Sequence, residues 1–363
     1  MSTGIFAKQP VLERPFLWYC LSMPGIRIEA PAKLNLCLLV GDKRPDGFHG
    51  IESLFIALAF GDTLHIETVS ETDAYSDLSS EWGTGDSISM EWDTSFYSHN
   101  NLKSFNNQQL FIPPENNIIC QAVSLFRKYS GYDRRFKIAV EKRIPPGSGL
   151  GGGSSNAAAT LLALNHLVSF ENKQSLSDAA LAGIGKELGS DVPFFVRQDN
   201  IAAWVSGRGE IITPIPLLQS LNGLSFVLVN PGFSSDTAGA YRLLDNFRQK
   251  HFFRQPSVET HKRSFSKLPV DWRLNNDFLS VFLTGEGGTD TSEGCGAVYR
   301  KILNALRDLG ADCAGLSGSG STCFGVFSSP DAGAEAVEFL SKYWPLVVKT
   351  FPLARYTKQR YNY

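Results

Sequence analysis

Residues 143–167, RIPPGSGLGGGSSNAAATLLALNHL, restrict the folding of this chain more than any other stretch. Five glycines between positions 147 and 153 open backbone conformations that side chains forbid. The run after them reads as a helix with Ala157, Leu161, Leu164 and Val168 on one face. An alternating strand, FKIAVEKRI, leads in. A strand, a glycine turn and a helix start, in that order, gather unpaired backbone N–H groups at the positive end of a helix dipole. That is the raw material of a phosphate site.

Three readings of the loop compete. Gly147, Gly149 and Gly152 fit G-x-G-x-x-G, the mark of a dinucleotide fold. However, the preceding strand alternates as a half-exposed strand does, and Pro145-Pro146 interrupt the entry. A Walker loop needs Lys-Ser/Thr after its last glycine, where this chain has Gly153-Ser154. The third reading is a glycine turn that serves close packing alone. Small residues up to Gly153, followed by the donors Ser154, Ser155 and Asn156, favour a triphosphate cradle that lacks its own lysine. The cation has to come from elsewhere, and Lys142, just before the loop, is a weak candidate for a nucleotide contact.

The rest of the chain narrows the class. At 363 residues there is room for two domains, and 43% hydrophobic content is enough for packed cores. A net charge of −2 gives no reason to expect nucleic acid or an anionic membrane as partner. The six cysteines form no C-x-x-C pair, which fits reduced thiols in a cytoplasm and argues against a zinc cluster. FLWYCLSM (16–23) is too short for a membrane span and follows acidic Glu13, so Met23 is an alternative start.

From Gly25 the pattern alternates. Ile26, Ile28 and Ala30 are followed by Leu34, Leu36, Leu38 and Val40, so Lys33 and Asn35 share the face opposite the leucines. RPDGFHG (44–50) is a turn, and a second turn is expected at Gly61-Asp62. The polar stretch 70–110 reads as a long loop or hairpin excursion, and 284–296 as another loop. The prolines of ITPIPLLQS (212–220) suggest a boundary between domains at 24–215 and 216–363.

PPGSGLGGGSSNAA resembles the second motif of the GHMP kinases, APAKLNLCL the first, and GLSGSGSTCFGVF (315–327) the glycine-rich third. RPDGFHGIESLF, LGSDVPFFV, GRGEIITPIP and NPGFSSDTAGAY resemble, within that superfamily, the kinases of the non-mevalonate isoprenoid route. The resemblance spans residue 25 to about 327. It implies an α+β fold of two domains, an N-terminal ATP-binding domain and a ferredoxin-like C-terminal domain. The implied activity is ATP-dependent phosphorylation of the 2-hydroxyl of a small molecule, 4-diphosphocytidyl-2-C-methyl-D-erythritol, by a monomer or homodimer.

The resemblance also assigns residues. ATP lies on Pro145, Pro146, Gly147, Ser148, Gly149, Leu150, Gly151, Gly152, Gly153, Ser154 and Ser155, with Mg²⁺ arriving on the nucleotide and touching Ser155. Asp191 matches the catalytic aspartate, although alone it reads as a turn or cap residue ahead of Pro193. Lys33 matches the motif-one lysine, otherwise an exposed strand lysine, with Asn35 as a substrate contact. Phe48 and His49, with Tyr241 opposite, form a cytosine site, and Thr237 stands near the substrate. The family usually has Tyr where this chain has Phe48, so any hydroxyl contact there is lost. Asn276-Asp277 are read equally well as a helix cap. Another GHMP kinase, acting on homoserine, mevalonate or a sugar, and a nucleotide or sugar sensor without chemistry are the alternative functions.

Overall fold

The computed structural model describes residues 25–69, 81–82, 85–97, 112–171, 173–197, 201–215, 221–251, 257–284 and 294–353. The alternative start at Met23, most of the 70–110 excursion, residues 216–220 of the ITPIPLLQS stretch and most of the 284–296 loop lie outside them.

Strand β1 (Gly25–Lys43) pairs antiparallel with β2 (His49–Val69) along nearly its whole length. β2 also carries β6 (Ala202–Gly207) at residues 51–56 and β5 (Arg135–Lys142) at 63–69. β3 (Glu81–Trp82), β4 (Asp86–Trp92) and β7 (Ile211–Pro214) complete a seven-stranded sheet among the described residues. Helices α1 (Ile118–Ser130), α2 (Gly152–Phe170) and α3 (Asp178–Leu188) cover one face, and the short α4 (Val192–Val196) packs on α2 and α3. Ser177 caps α3 by accepting from the Ala180 N–H, and the helix stops at Gly189.

The second sheet has the order β11-β8-β10-β9 and every pair is antiparallel. Its strands are β8 (Ser225–Asn230), β9 (Cys313–Leu316), β10 (Cys323–Phe327) and β11 (Leu346–Thr350). Numbered within the sheet this is 4-1-3-2 with helical crossovers, the ferredoxin-like arrangement. The crossovers hold α5 (Thr237–Lys250), α6 (Val258–Ser264), α7 (Asp277–Phe282) and α8 (Gly294–Asp308) between β8 and β9, and α9 (Pro330–Leu340) before β11.

The period of two explains how the layers stack. In β8, Phe226 and Leu228 point into a core shared with the first sheet, while Val227 and Val229 face the outer helices. β1 feeds three cores in turn: Ile26, Ile28 and Ala30 under α1 and α2, then Ala32, Leu34 and Leu36 between the sheets, then Leu38 and Val40 under α5 and α8.

One expectation is corrected. Gly61-Asp62 is not a turn, because β2 runs through it as one strand of 21 residues. Glycine is required there by close approach to β1: a Cβ at position 61 would lie 2.3 Å from the Ala30 carbonyl oxygen. Of the two readings of the excursion, the hairpin is the one its described part follows: β3 and β4 pair antiparallel, and β4 goes on to pair in parallel with β5. Ile88 and Met90 alternate with Ser87, Ser89 and Glu91 and pack on the core under α1 and α2, a short period-two signal set among polar residues.

Candidate active site

The glycine loop follows β5 and enters α2, as its sequence predicts. Gly149 has φ of 77° and Gly151 of 72°, both in the left-handed region. A Cβ at Gly149 would sit 2.1 Å from the Ser317 carbonyl oxygen, and one at Gly151 would sit 3.0 Å from Lys33 Cγ. Neither position admits a side chain.

The loop's carbonyl groups are turned into the protein. Ser234 Oγ donates to the Pro146 oxygen, the Ser235 N–H to Gly147, and the Thr322 N–H to Ser148. Ser317 Oγ donates to Gly149, and the Lys33 N–H to Leu150. The first N–H groups of α2 have no carbonyl behind them. Ser155 Oγ and Asn156 Oδ1, buried at the same helix end, have no hydrogen-bond partner among the described residues. Leu150 is buried between the sheets and anchors the loop from below.

Two cavities share Gly147, Gly149 and Gly151 as a common wall. One, of about 360 Å³, is bordered by Asn117, Ile118, Lys142 and the loop from Pro145 to Ser154. The other, of about 590 Å³, is bordered by Lys33, Asn35, Asp191, Phe48, Tyr241 and the motif-three turn. Both sizes fall in the range of small-molecule sites.

In the larger cavity Lys33 is not an exposed strand lysine. Only 5% of it is exposed, its ammonium stands 4.9 Å above the Phe55 ring, and it donates to Asn35 Oδ1 at 2.5 Å. Asp191 Oδ2 lies 3.5 Å from Lys33 Nζ. Burial pulls the Lys33 ammonium below its usual pKa, while the Asp191 charge and hydrogen bond oppose that pull. Asp191 precedes α4, yet its side chain makes no capping bond and is turned to the lysine instead. Asn35 Nδ2 donates to Ser53 Oγ, and the Asn35 N–H donates to Ser317 Oγ at 3.3 Å. Lys33 and Asn35 thus share a face, as the period of two requires.

The aromatic residues form a second group in the same cavity. His49 stacks on Tyr241 with ring centres 4.9 Å apart and planes at 21°, and its Nε2 donates to Asp245 Oδ1 at 2.8 Å. Tyr241 also meets Phe278 edge-on, and burial followed by the Asp191 charge pushes its hydroxyl up in pKa. Phe48 is half exposed and carries the Arg208 guanidinium 3.7 Å above its ring. Tyr241 therefore has His49, not Phe48, as its stacking partner. Thr237 Oγ1 lies 2.8 Å from Ser319 Oγ of the motif-three turn.

Asn276 caps α7 and also donates to the carbonyls of Leu316 and Gly318. Asp277 accepts from the Val40 N–H and Arg248. The pair braces the turn and β1. Sequence reasoning missed Ser53, Asp245 and Ser317, whose partners lie 18 to 282 residues away; Asp245, one helical turn beyond Tyr241, was the one with a local signal. No group of three or more His, Cys, Asp or Glu side chains suited to a metal occurs among the described residues. No described helix is long and apolar enough to cross a membrane.

Fold and site together define a kinase of the GHMP class. Residues 117–199 match the GHMP kinases N terminal domain, and 294–346 the GHMP kinases C terminal domain. A 4-diphosphocytidyl-2-C-methyl-D-erythritol kinase of Chlorobium phaeobacteroides is 31% identical over 333 residues, 90% of this chain and 97% of that protein. One of Thermodesulfovibrio yellowstonii is 30% identical over 89% of this chain and 96% of its own length. A crystal structure of 4-(cytidine 5'-diphospho)-2C-methyl-D-erythritol kinase superposes with a TM-score of 0.65 at 26% identity, covering 90% of this chain and 100% of that one. Homoserine kinase from Cytophaga hutchinsonii, at 15% identity, 94% and 98% coverage and a TM-score of 0.57, shares the fold. The chain belongs to the 4-diphosphocytidyl-2-C-methyl-D-erythritol kinase family.

Proposed function

We infer that the protein is an ATP-dependent kinase of the 2-hydroxyl of 4-diphosphocytidyl-2-C-methyl-D-erythritol, acting in non-mevalonate isoprenoid precursor synthesis. The observation that carries this reading is the Lys33–Asp191 pair in the cavity that shares its glycine wall with the loop cavity. Relatives of that activity match this chain over about nine-tenths of its length.

In the proposed reaction the triphosphate lies on Pro145–Ser155, held by backbone N–H groups and the α2 dipole. The acceptor hydroxyl lies against Asp191, which takes its proton as the oxygen attacks the γ-phosphorus. Phosphoryl transfer is loose, so positioning contributes more than basicity. Lys33 orients Asp191 and stabilises the charge that develops on the acceptor oxygen. Asn35 steadies Lys33 through their 2.5 Å hydrogen bond. Phe48, His49 and Tyr241 form the base-binding wall, with Asp245 fixing the imidazole, and Thr237 borders the acceptor.

Mg²⁺ fits the residues present: the Ser155 hydroxyl is buried at the loop with no hydrogen-bond partner among the described residues. Bound on ATP, the ion supplies charge neutralisation at the phosphates. We assign residues 24–215 and 216–363 to the two domains, and a monomer or homodimer in the cytoplasm as the working form. The five described cysteines, all free, support a reducing compartment.

ADP release, coupled to an optical readout, tests the function with 4-diphosphocytidyl-2-C-methyl-D-erythritol, homoserine, mevalonate and galactose as acceptors. Turnover is expected with the cytidine compound alone. Comparable turnover with homoserine or mevalonate overturns the acceptor assignment, and no turnover with any acceptor favours a sensor.

A further inference from the structure

Asp62 and Lys142 form an ion pair beneath the phosphate loop, separate from the Lys33–Asp191 pair. Asp62 is fully buried in β2, and 8% of the Lys142 side chain is exposed. One Asp62 oxygen accepts from Lys142 Nζ. The other accepts the backbone N–H groups of Arg143 at 2.7 Å and Ile144 at 2.9 Å, the two residues that lead into Pro145.

The ammonium stands at the wrong end of a helix. It lies 3.5 Å from where a Cβ of Gly152, the first residue of α2, would be. A positive charge at the positive end of a helix dipole is disfavoured, and a buried charge needs partners. Among the described residues Asp62 is the one hydrogen-bond partner of Lys142 Nζ, which has three protons to give. The same side chain borders the loop cavity with Gly152, Gly153, Ser154 and Asn156, where Asn156 Oδ1 is also unpartnered. A mere pin between strands needs no such charge, because Thr63 and Glu141 already pair one step away.

We propose that Lys142 is a nucleotide-binding residue that supplies the cation missing from the glycine loop, and that Asp62 is the positioning residue that aims it and fixes the loop's entry. The bound triphosphate accepts from the Lys142 protons that Asp62 leaves without a partner. The proposal rests on ATP as the phosphate donor and not on the identity of the acceptor.

The test is a set of acceptor-free titrations of the full chain, so failure of the acceptor assignment leaves it untouched. The variants are Lys142→Met, Lys142→Arg and the neutral double Asp62→Asn/Lys142→Met, whose amide oxygen still accepts from the loop's backbone. The ligands are a non-hydrolysable ATP analogue, inorganic tripolyphosphate and adenosine. Both variants carrying Lys142→Met are expected to bind the analogue and tripolyphosphate about 10- to 100-fold more weakly, as suits loss of a charge-assisted contact. Adenosine affinity stays at the wild-type value, and Lys142→Arg restores the phosphate ligands to within about threefold. Wild-type affinity for the analogue in the double variant overturns the proposal and leaves a structural pin. So does an equal loss of adenosine and tripolyphosphate, which means the loop has collapsed rather than lost a charge.

Discussion

At the scale of single residues, the roles proposed for Lys33 and Asp191 rest on what surrounds them. The lysine has been taken out of water and the aspartate has not: the Asp191 side chain keeps 27% of its surface, enough to meet an incoming hydroxyl. Asp191→Asn removes the proton acceptor and the countercharge of Lys33 while leaving the glycine loop alone. Turnover should fall about 10²- to 10⁴-fold, the usual contribution of a positioned base. Affinity for the non-hydrolysable ATP analogue should stay within about threefold, a margin of less than 1 kcal/mol. Near-normal ADP release in a coupled assay removes Asp191 from the mechanism. Lys33 and Asn35 were legible because a strand's period put them on one face. Ser53 and Asp62 were not, since what gives each its meaning is a partner on another strand. Phe48, His49 and Tyr241 were named through the family resemblance, on the motifs RPDGFHGIESLF and NPGFSSDTAGAY. That Arg208 covers Phe48, and that His49 stacks directly on Tyr241, are products of packing.

At the scale of elements, most helices and strands follow from apolar spacing, caps and turn residues. β2 is the instructive exception. Gly-Asp normally signals a bend, but here the glycine lets two strands touch and the aspartate turns inward to bind the loop's entry. A dipeptide carries no record of which strand passes beside it. The glycine loop was readable because its chemistry is local, whereas the reason for each glycine is not. Gly149 is held by Ser317, far along the chain, and Gly149→Ala must meet both the clash and the left-handed backbone. Destabilisation of about 1–3 kcal/mol is expected from denaturant unfolding, together with loss of analogue binding. Unchanged stability and affinity would mean that the motif-three turn does not press on the loop.

At the scale of the whole molecule, β1 joins the cores. Its leucines contribute to the layer between the sheets and its last apolar residues to the layer beyond. Arg248 and Asp277 grip the same strand at Val40. The two sheets should therefore unfold as one unit. Denaturation followed by tryptophan fluorescence and by circular dichroism should give one coincident transition. ATP analogue at 100 times its Kd should raise the unfolding free energy by about 2.7 kcal/mol. Two separated transitions, only one shifted by the analogue, would show that the halves are independent.

The loop's carbonyls have a consequence for how the enzyme is made. Ser148 and Gly149 give their oxygens to Thr322 and Ser317, which leave the ribosome long after the loop itself. Until then those lone pairs are unclaimed, and lone pairs repel a phosphate. A chain stopped before Ser317 should therefore bind an ATP analogue more weakly than the full chain, which titration of the two checks.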